Sequence, residues 1–249
     1  MTVVKKYWYS LEQKMIELRN FCFHFGASIY MFHQINDNKD LWEDDAVSIS
    51  RKGFEEFIEG LLINGAVFRS IDELDKHCET NSVYLTFDDV YQDMIDNAIP
   101  FLLNRGIPFC LFVSQKFIDK EGFISTETLK NLAAEKLCTI GFHSKNHELM
   151  RLLDEEQMGS ELDCSDFDHV VGKHSKYFAF PYGSIYACNH TCRKLIKKRG
   201  YEFVFSTIYG TCTPRVISSK PHFVPRININ EENYLKRINT FCRNRGINK

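Results

Sequence analysis

Val83-Tyr84-Leu85-Thr86-Phe87-Asp88-Asp89-Val90 opens as a strand and closes on two adjacent carboxylates. Val83 to Phe87 is a run of β-branched, aromatic and aliphatic residues, the composition of a strand buried on both faces. Two neighbouring aspartates repel at neutral pH. A bound cation, a cationic side chain or one displaced pKa must therefore offset them. Capping the helix that begins near Tyr91 would occupy one aspartate and leave the other unexplained.

Strand and helix patterns alternate on either side of this stretch. Strands are expected at Ala27–Phe32, Ala66–Phe68, Ile107–Val113, Leu137–Phe142, Tyr177–Phe180, Glu202–Ser206 and Phe223–Ile229. Amphipathic spacing predicts helices over Ser10–Cys22, from Ser50 to the Asn64-Gly65 stop, over Ser70–His77, and from Tyr91 to Arg105 with a bend or interruption at Pro100. Further helices are expected from Ser125, from the Asp154/Gln157 capping box, over Tyr186–Arg199 and over Glu231–Arg243. Sustained alternation without repeats or a linker indicates a parallel α/β fold with one core, read as a single domain over 1–249. Six to eight strands in 249 residues favour a (β/α) barrel over an open sheet, since such barrels run to ~250 residues.

Composition narrows the function classes. With 44% hydrophobic and 26% charged residues the chain is globular, and a net charge of -2 gives no reason to expect a nucleic-acid partner. No stretch approaches ~18 consecutive apolar residues, so no transmembrane helix is expected. Glu12, Lys14, Glu17 and Arg19 break up the N-terminal stretch, which therefore does not read as a signal peptide, and a cytoplasmic protein is expected. Nine cysteines, without a Cys-x-x-Cys, read as reduced thiols. Cys188 and Cys192 lie four apart on an expected helix, but no second pair completes a metal site.

The polar residues recur in one kind of place. His33, Asp88-Asp89, His143 and Pro181-Tyr182 each fall just past the C-terminal end of an expected strand, the rim where parallel α/β folds carry their sites. In His143-Ser144-Lys145-Asn146-His147, two imidazoles four apart can face a single point. With one carboxylate they make a three-ligand metal site that keeps positions open, which suits catalysis better than a closed structural site.

Thr86-Phe87-Asp88-Asp89, His143-Ser-Lys-Asn-His147 and Phe180-Pro181-Tyr182-Gly183, in that order, resemble the polysaccharide deacetylase (NodB-homology) family of carbohydrate esterases. The similarity runs from about Ser28 to Ile229 and takes in Val224-Pro225-Arg226-Ile227. It implies a distorted (β/α) barrel and metal-dependent removal of acetyl groups from an N-acetylated oligo- or polysaccharide. Asp89, His143 and His147 would hold the metal, by default zinc, with cobalt or nickel also accepted. Asp88 would be the general base, the Tyr182 N–H after Pro181 would stabilise the oxyanion, and His33 would be the general acid, as in a circularly permuted branch. His222 is the runner-up acid.

Three departures from the family pattern bear on this assignment. Val90 stands where a glycine is usual, and Ala179 where an arginine is expected, so that Arg226 is the candidate to orient Asp88. The tryptophan segment of relatives has no counterpart near Phe203 to Thr207. O-acetyl ester hydrolysis is the close alternative, and a silent carbohydrate-binding barrel is the reading favoured by Val90 and Ala179. The loop Ile35–Val47 could shape a sugar groove, with Trp42 stacking on a pyranose or merely packing.

Overall fold

The computed structural model of the chain describes residues 26–184, 187–219 and 221–246. The expected helix Ser10–Cys22, and the N-terminal stretch behind the cytoplasmic expectation, lie outside them. The strands are β1 Ser28–Phe32, β2 Val67–Phe68, β3 Ser82–Asp88, β4 Phe109–Val113, β5 Cys138–Phe142, β6 Tyr177–Ala179, β7 Phe203–Phe205 and β8 Ile227–Asn228. They form one sheet in the order β7-β6-β5-β4-β3-β1-β8, with β2 against the start of β3, and every pairing is parallel. The two edges meet through the chain that leads into β8. Val224 bridges Phe205 of β7, while Tyr30 and Met31 of β1 pair with Ile227 and Asn228. The result is a distorted barrel.

Helices pack on the outside, α1 Arg51–Ile63, α2 Gln92–Asn97, α3 Ile99–Asn104, α4 Thr126–Ala134, α5 Glu155–Glu161, α6 Ser165–Val171, α7 His190–Arg199 and α9 Tyr234–Asn244, while α8 Pro214–Ser219 lays Val216 and Ile217 against the inner cluster. Ser50 and Ser125 cap α1 and α4, and Asp154 with Gln157 forms the expected capping box on α5. The bend or interruption expected at Pro100 is an interruption at Ala98, with the proline in the first turn of α3, where its missing N–H costs nothing. The expected helix over Ser70–His77 is a single 3₁₀ turn, Ile71–Glu73. The short helices α6 and α8 carry no strong apolar period and were not legible.

The period of two along each strand sorts the core into two layers. Tyr30, Phe32, Val83, Leu85, Phe87, Leu111, Val113, Ile140, Phe142 and Phe178 face the helices. Ile29, Tyr84, Cys110, Phe112, Tyr177, Ala179, Phe203 and Phe205 fill the barrel interior. The same alternation carried past Phe87, Phe142, Phe32 and Ile227 turns Asp88, His143, His33 and Arg226 inward. No helix among the described residues is long and apolar enough to cross a membrane.

Candidate active site

β3 ends in a backbone that side chains rarely adopt. Asp89 and Val90 have φ of 62° and 58°, and the Val90 N–H donates to Asp88 O at 2.7 Å, closing a γ-turn on Asp89. Neither aspartate caps α2, whose N-cap is Tyr91 and makes no side-chain capping bond. Val90 takes the left-handed conformation that a glycine would adopt without strain, and its side chain is wholly buried in the outer core. Of the other five described non-glycine residues with positive φ, four, Asp89, Ser144, His147 and Tyr182, lie on the same rim. Strain concentrated in this way is a mark of a functional site.

Asp88 and Arg226 form a buried pair. The guanidinium donates Nη1 to Oδ1 and Nη2 to Oδ2, both at 2.6 Å, with Nη1 also on Thr86 Oγ1 at 3.2 Å and Nε on Ser206 O at 3.0 Å. It lies 5.4 Å from the Phe112 ring centre and is 0% exposed. Burial works hardest against ionisation of Asp88, but the charge of Arg226, then His143, and the Arg226 hydrogen bonds outweigh it and lower the carboxyl's pKa. Arg226 thus pairs with Asp88, the contact expected of it because Ala179 cannot make one. Thr86 and Ser206, which complete its hydrogen bonds, were not singled out from sequence; only Thr86, inside the motif, offered a signal.

Asp89 faces the two histidines. Its Oδ1 lies 3.1 Å from His147 Nε2 and 3.6 Å from His143 Nε2, and the three ligand atoms lie within 4.8 Å of one another. His143 Nδ1 is 2.8 Å from Ala179 O, so that nitrogen carries the proton and Nε2 presents a lone pair. Burial drives the His143 pKa down to about 4 against the pull of Asp88 and Asp89, keeping the ring neutral. Asp89 Oδ1 is buried and has no hydrogen bond of acceptable geometry, despite the nearness of His147. Burial disfavours its charge, but His147 and His143 prevail and lower its pKa. The lone pair of His143 Nε2 and the Asp89 carboxylate thus face each other in a buried place, which is unfavourable, and a cation resolves the conflict. A donor set of two imidazoles and one carboxylate fits zinc and its neighbours.

The remaining expected residues border this centre. His33 follows β1, its Nδ1 is buried without a partner, and it stands close enough for its charge to depress both Asp88 and Asp89. Tyr182 has φ 61° and is 62% exposed, with its ring 5.1 Å from that of His147. Gly183 carries the next turn, where an added Cβ would meet Thr207 N at 2.6 Å. His222 lies away from the rim, beside Tyr201 O at 3.3 Å ahead of β7. Trp42 donates its indole N–H to Asn36 O at 2.8 Å, with Lys39 5.1 Å over its ring, so it packs within its own loop. Cys192 is buried against Met150, with Sγ 3.6 Å from the thioether sulfur.

A second trio, Cys164, Asp168 and His174, also brings three donors within 4.8 Å. There Asp168 Oδ2 receives His174 Nδ1 at 2.7 Å and the Cys164 thiol at 3.4 Å, while Oδ1 takes the Ser175 N–H. Burial raises the thiol to about 11, so it keeps its proton and the group is satisfied without an ion.

A parallel barrel with an inward carboxylate and an imidazole pair at its C-terminal rim places the chain among the (β/α)-barrel enzymes. The polysaccharide deacetylase family model matches residues 75–204, just over half of the chain. The chain belongs to the polysaccharide deacetylase family. It is 26% identical over 205 residues to a poly-beta-1,6-N-acetyl-D-glucosamine N-deacetylase of Staphylococcus epidermidis, covering 74% of this chain and 69% of that one. A protein of the same name from Staphylococcus aureus is 25% identical over 236 residues, covering 86% and 77%. Among solved structures, IcaB from Ammonifex degensii shares the fold with a TM-score of 0.71 at 22% identity, over 87% of this chain and 97% of that one. The family match ends before Arg226 and begins after His33.

Proposed function

We propose that this chain is a metal-dependent deacetylase that removes acetyl groups from the nitrogen of an N-acetylglucosamine polymer. The observation that carries the reading is the convergence of Asp89 Oδ1, His143 Nε2 and His147 Nε2, all within 4.8 Å of one another, beside a carboxylate fixed by arginine. The relatives named for poly-N-acetylglucosamine support the polymer, and the amide follows from the same names.

Asp89, His143 and His147 would hold the divalent ion, zinc by default with cobalt or nickel also accepted, which supplies Lewis acidity toward an acetyl carbonyl and acidifies water. Asp88 would take the proton of the attacking water on Oδ2, the oxygen that stands 4.0 Å from His143 Nε2. Its lowered pKa keeps it ionised at working pH, and Arg226 fixes its orientation. Tyr182, held in its turn by the Thr207 N–H on Gly183 O at 2.7 Å, would offer its own N–H to the developing oxyanion. His33 would return a proton to the leaving amine.

Acetate release from poly-N-acetylglucosamine oligomers tests the proposal. We expect release that a chelator abolishes and added zinc restores. Asp88→Asn should lower kcat by about 10²–10⁴-fold, the range for a removed general base, with zinc still bound. Release from acetyl esters but not from amides would favour the O-acetyl esterase reading. No release from either, with metal bound, would leave a silent barrel.

A further inference from the structure

The buried ionisable Asp, Glu, His, Lys and Arg side chains among the described residues are few. Asp88, Asp89, His143 and Arg226 belong to the centre described above, and the remaining one is Glu161, 3% exposed at the end of α5. A buried carboxylate is costly unless hydrogen bonds compensate it. Glu161 finds its partners in the turn between the two imidazoles. Oε2 accepts the Asn146 N–H at 2.9 Å and Oε1 accepts Asn146 Nδ2 at 2.6 Å, while the Glu161 carbonyl takes the Lys145 N–H at 3.2 Å.

The turn needs such a restraint. Ser144 and His147 hold φ of 68° and 56°, conformations that are strained in a non-glycine residue. Ser144 Oγ accepts the His147 N–H at 3.0 Å, and the Lys116 N–H holds Lys145 O at 2.8 Å, which secures two sides. Glu161 grips the third, at the residue next to His147. Hydrogen bonds to a charged group are among the strongest in a protein, and they work against the strain.

We infer that Glu161 is a positioning residue for the cation: its carboxylate sets the 143–147 turn so that both imidazoles face one point. This rests on the proposed metal site. The carboxylate is needed rather than an amide, because both Asn146 groups donate. A glutamine would turn its NH₂ toward one of those donors and push the turn away.

The test is zinc affinity of the full chain, measured by competition with a fluorescent chelator, for wild type, Glu161→Gln, Asn146→Ala, the double variant and Met158→Ala. Met158 lies buried on the same helix and touches none of the turn's hydrogen bonds, so its truncation reports loss of helix packing alone. We expect Glu161→Gln to weaken zinc about 10–100-fold, as is usual when a group that orients a ligand is lost. The double variant should lose much less than the sum of the single losses, because both remove one interaction. Met158→Ala should lower Tm yet leave zinc affinity unchanged. If Glu161→Gln fails to fold, weakened zinc in a folded Asn146→Ala supports the inference. Wild-type affinity in Glu161→Gln, wild-type affinity in Asn146→Ala where only that variant folds, or equal weakening in Met158→Ala, overturns it. Failure of the wild-type chain to bind zinc would instead remove the metal site on which it rests.

Discussion

At the scale of single residues, the site is a set of charges whose states burial dictates. His143 ionises at pH 6.5 when solvated and at about 4 in the fold. Between those values the unfolded chain binds a proton that the folded chain does not, so stability must fall as pH drops through the interval. The full effect is about 3 kcal/mol in the metal-stripped protein, at 1.36 kcal/mol per pKa unit. Denaturant unfolding of wild type and His143→Asn should show this slope between pH 6.5 and 4.5 in the former and its reduction in the latter. Asp88 and Asp89, whose pKa values are lowered, add their losses only below the ordinary carboxylate range. Arg226 is the second test. Arg226→Ala leaves Asp88 charged, buried and unpaired, which should cost about 3–5 kcal/mol in a urea titration. Arg226→Lys should restore part of the stability but less of kcat, because an ammonium cannot engage both carboxylate oxygens at once. Equal behaviour of Lys and Arg here would mean that only charge matters.

At the scale of elements, the turn after β3 sets two demands against each other at Val90. Its left-handed backbone disfavours any side chain, while full burial rewards one. Burying a valine is worth about 1.5–3 kcal/mol, against about 1–2 for the left-handed penalty, so the side chain wins narrowly. Val90→Gly should therefore destabilise despite relieving the backbone. Val90→Ala, which keeps the strain and loses most of the burial, should be no more stable than Val90→Gly, the reverse of the usual preference for alanine. Thermal unfolding of the two variants decides it, and a clearly more stable alanine variant would contradict the strained geometry.

The strands, the capped helices and the polar strand ends were legible because each is a local pattern: a period of two, a Ser or Asp cap, a charge where an apolar run stops. Of the strained turns only the one at Val90 was foreshadowed, by the glycine usual there in the family; Ser144, His147 and Tyr182 carry no composition that marks positive φ. Arg226 could be named from sequence, but its hold on Asp88 joins residues far apart in the chain and depends on the closure of the barrel. Glu161 gave no signal, because the last residue of a short helix reads as solvent-exposed until α5 is docked under the turn.

At the scale of the whole molecule, closure of the barrel builds the site. β3 brings the aspartates, β5 the imidazoles, and the chain before β8 brings Arg226 across from β7 to β1. Family membership and the shared barrel account for the fold, but the chemistry turns on whether Asp89, His143 and His147 hold one cation. Diffraction from zinc-grown crystals, recorded on both sides of the zinc absorption edge, tests this directly. The account predicts one anomalous peak about 2.0–2.2 Å from a carboxylate oxygen of Asp89 and from Nε2 of each histidine. With zinc in excess, an empty triad, or a peak only at another position, would contradict it.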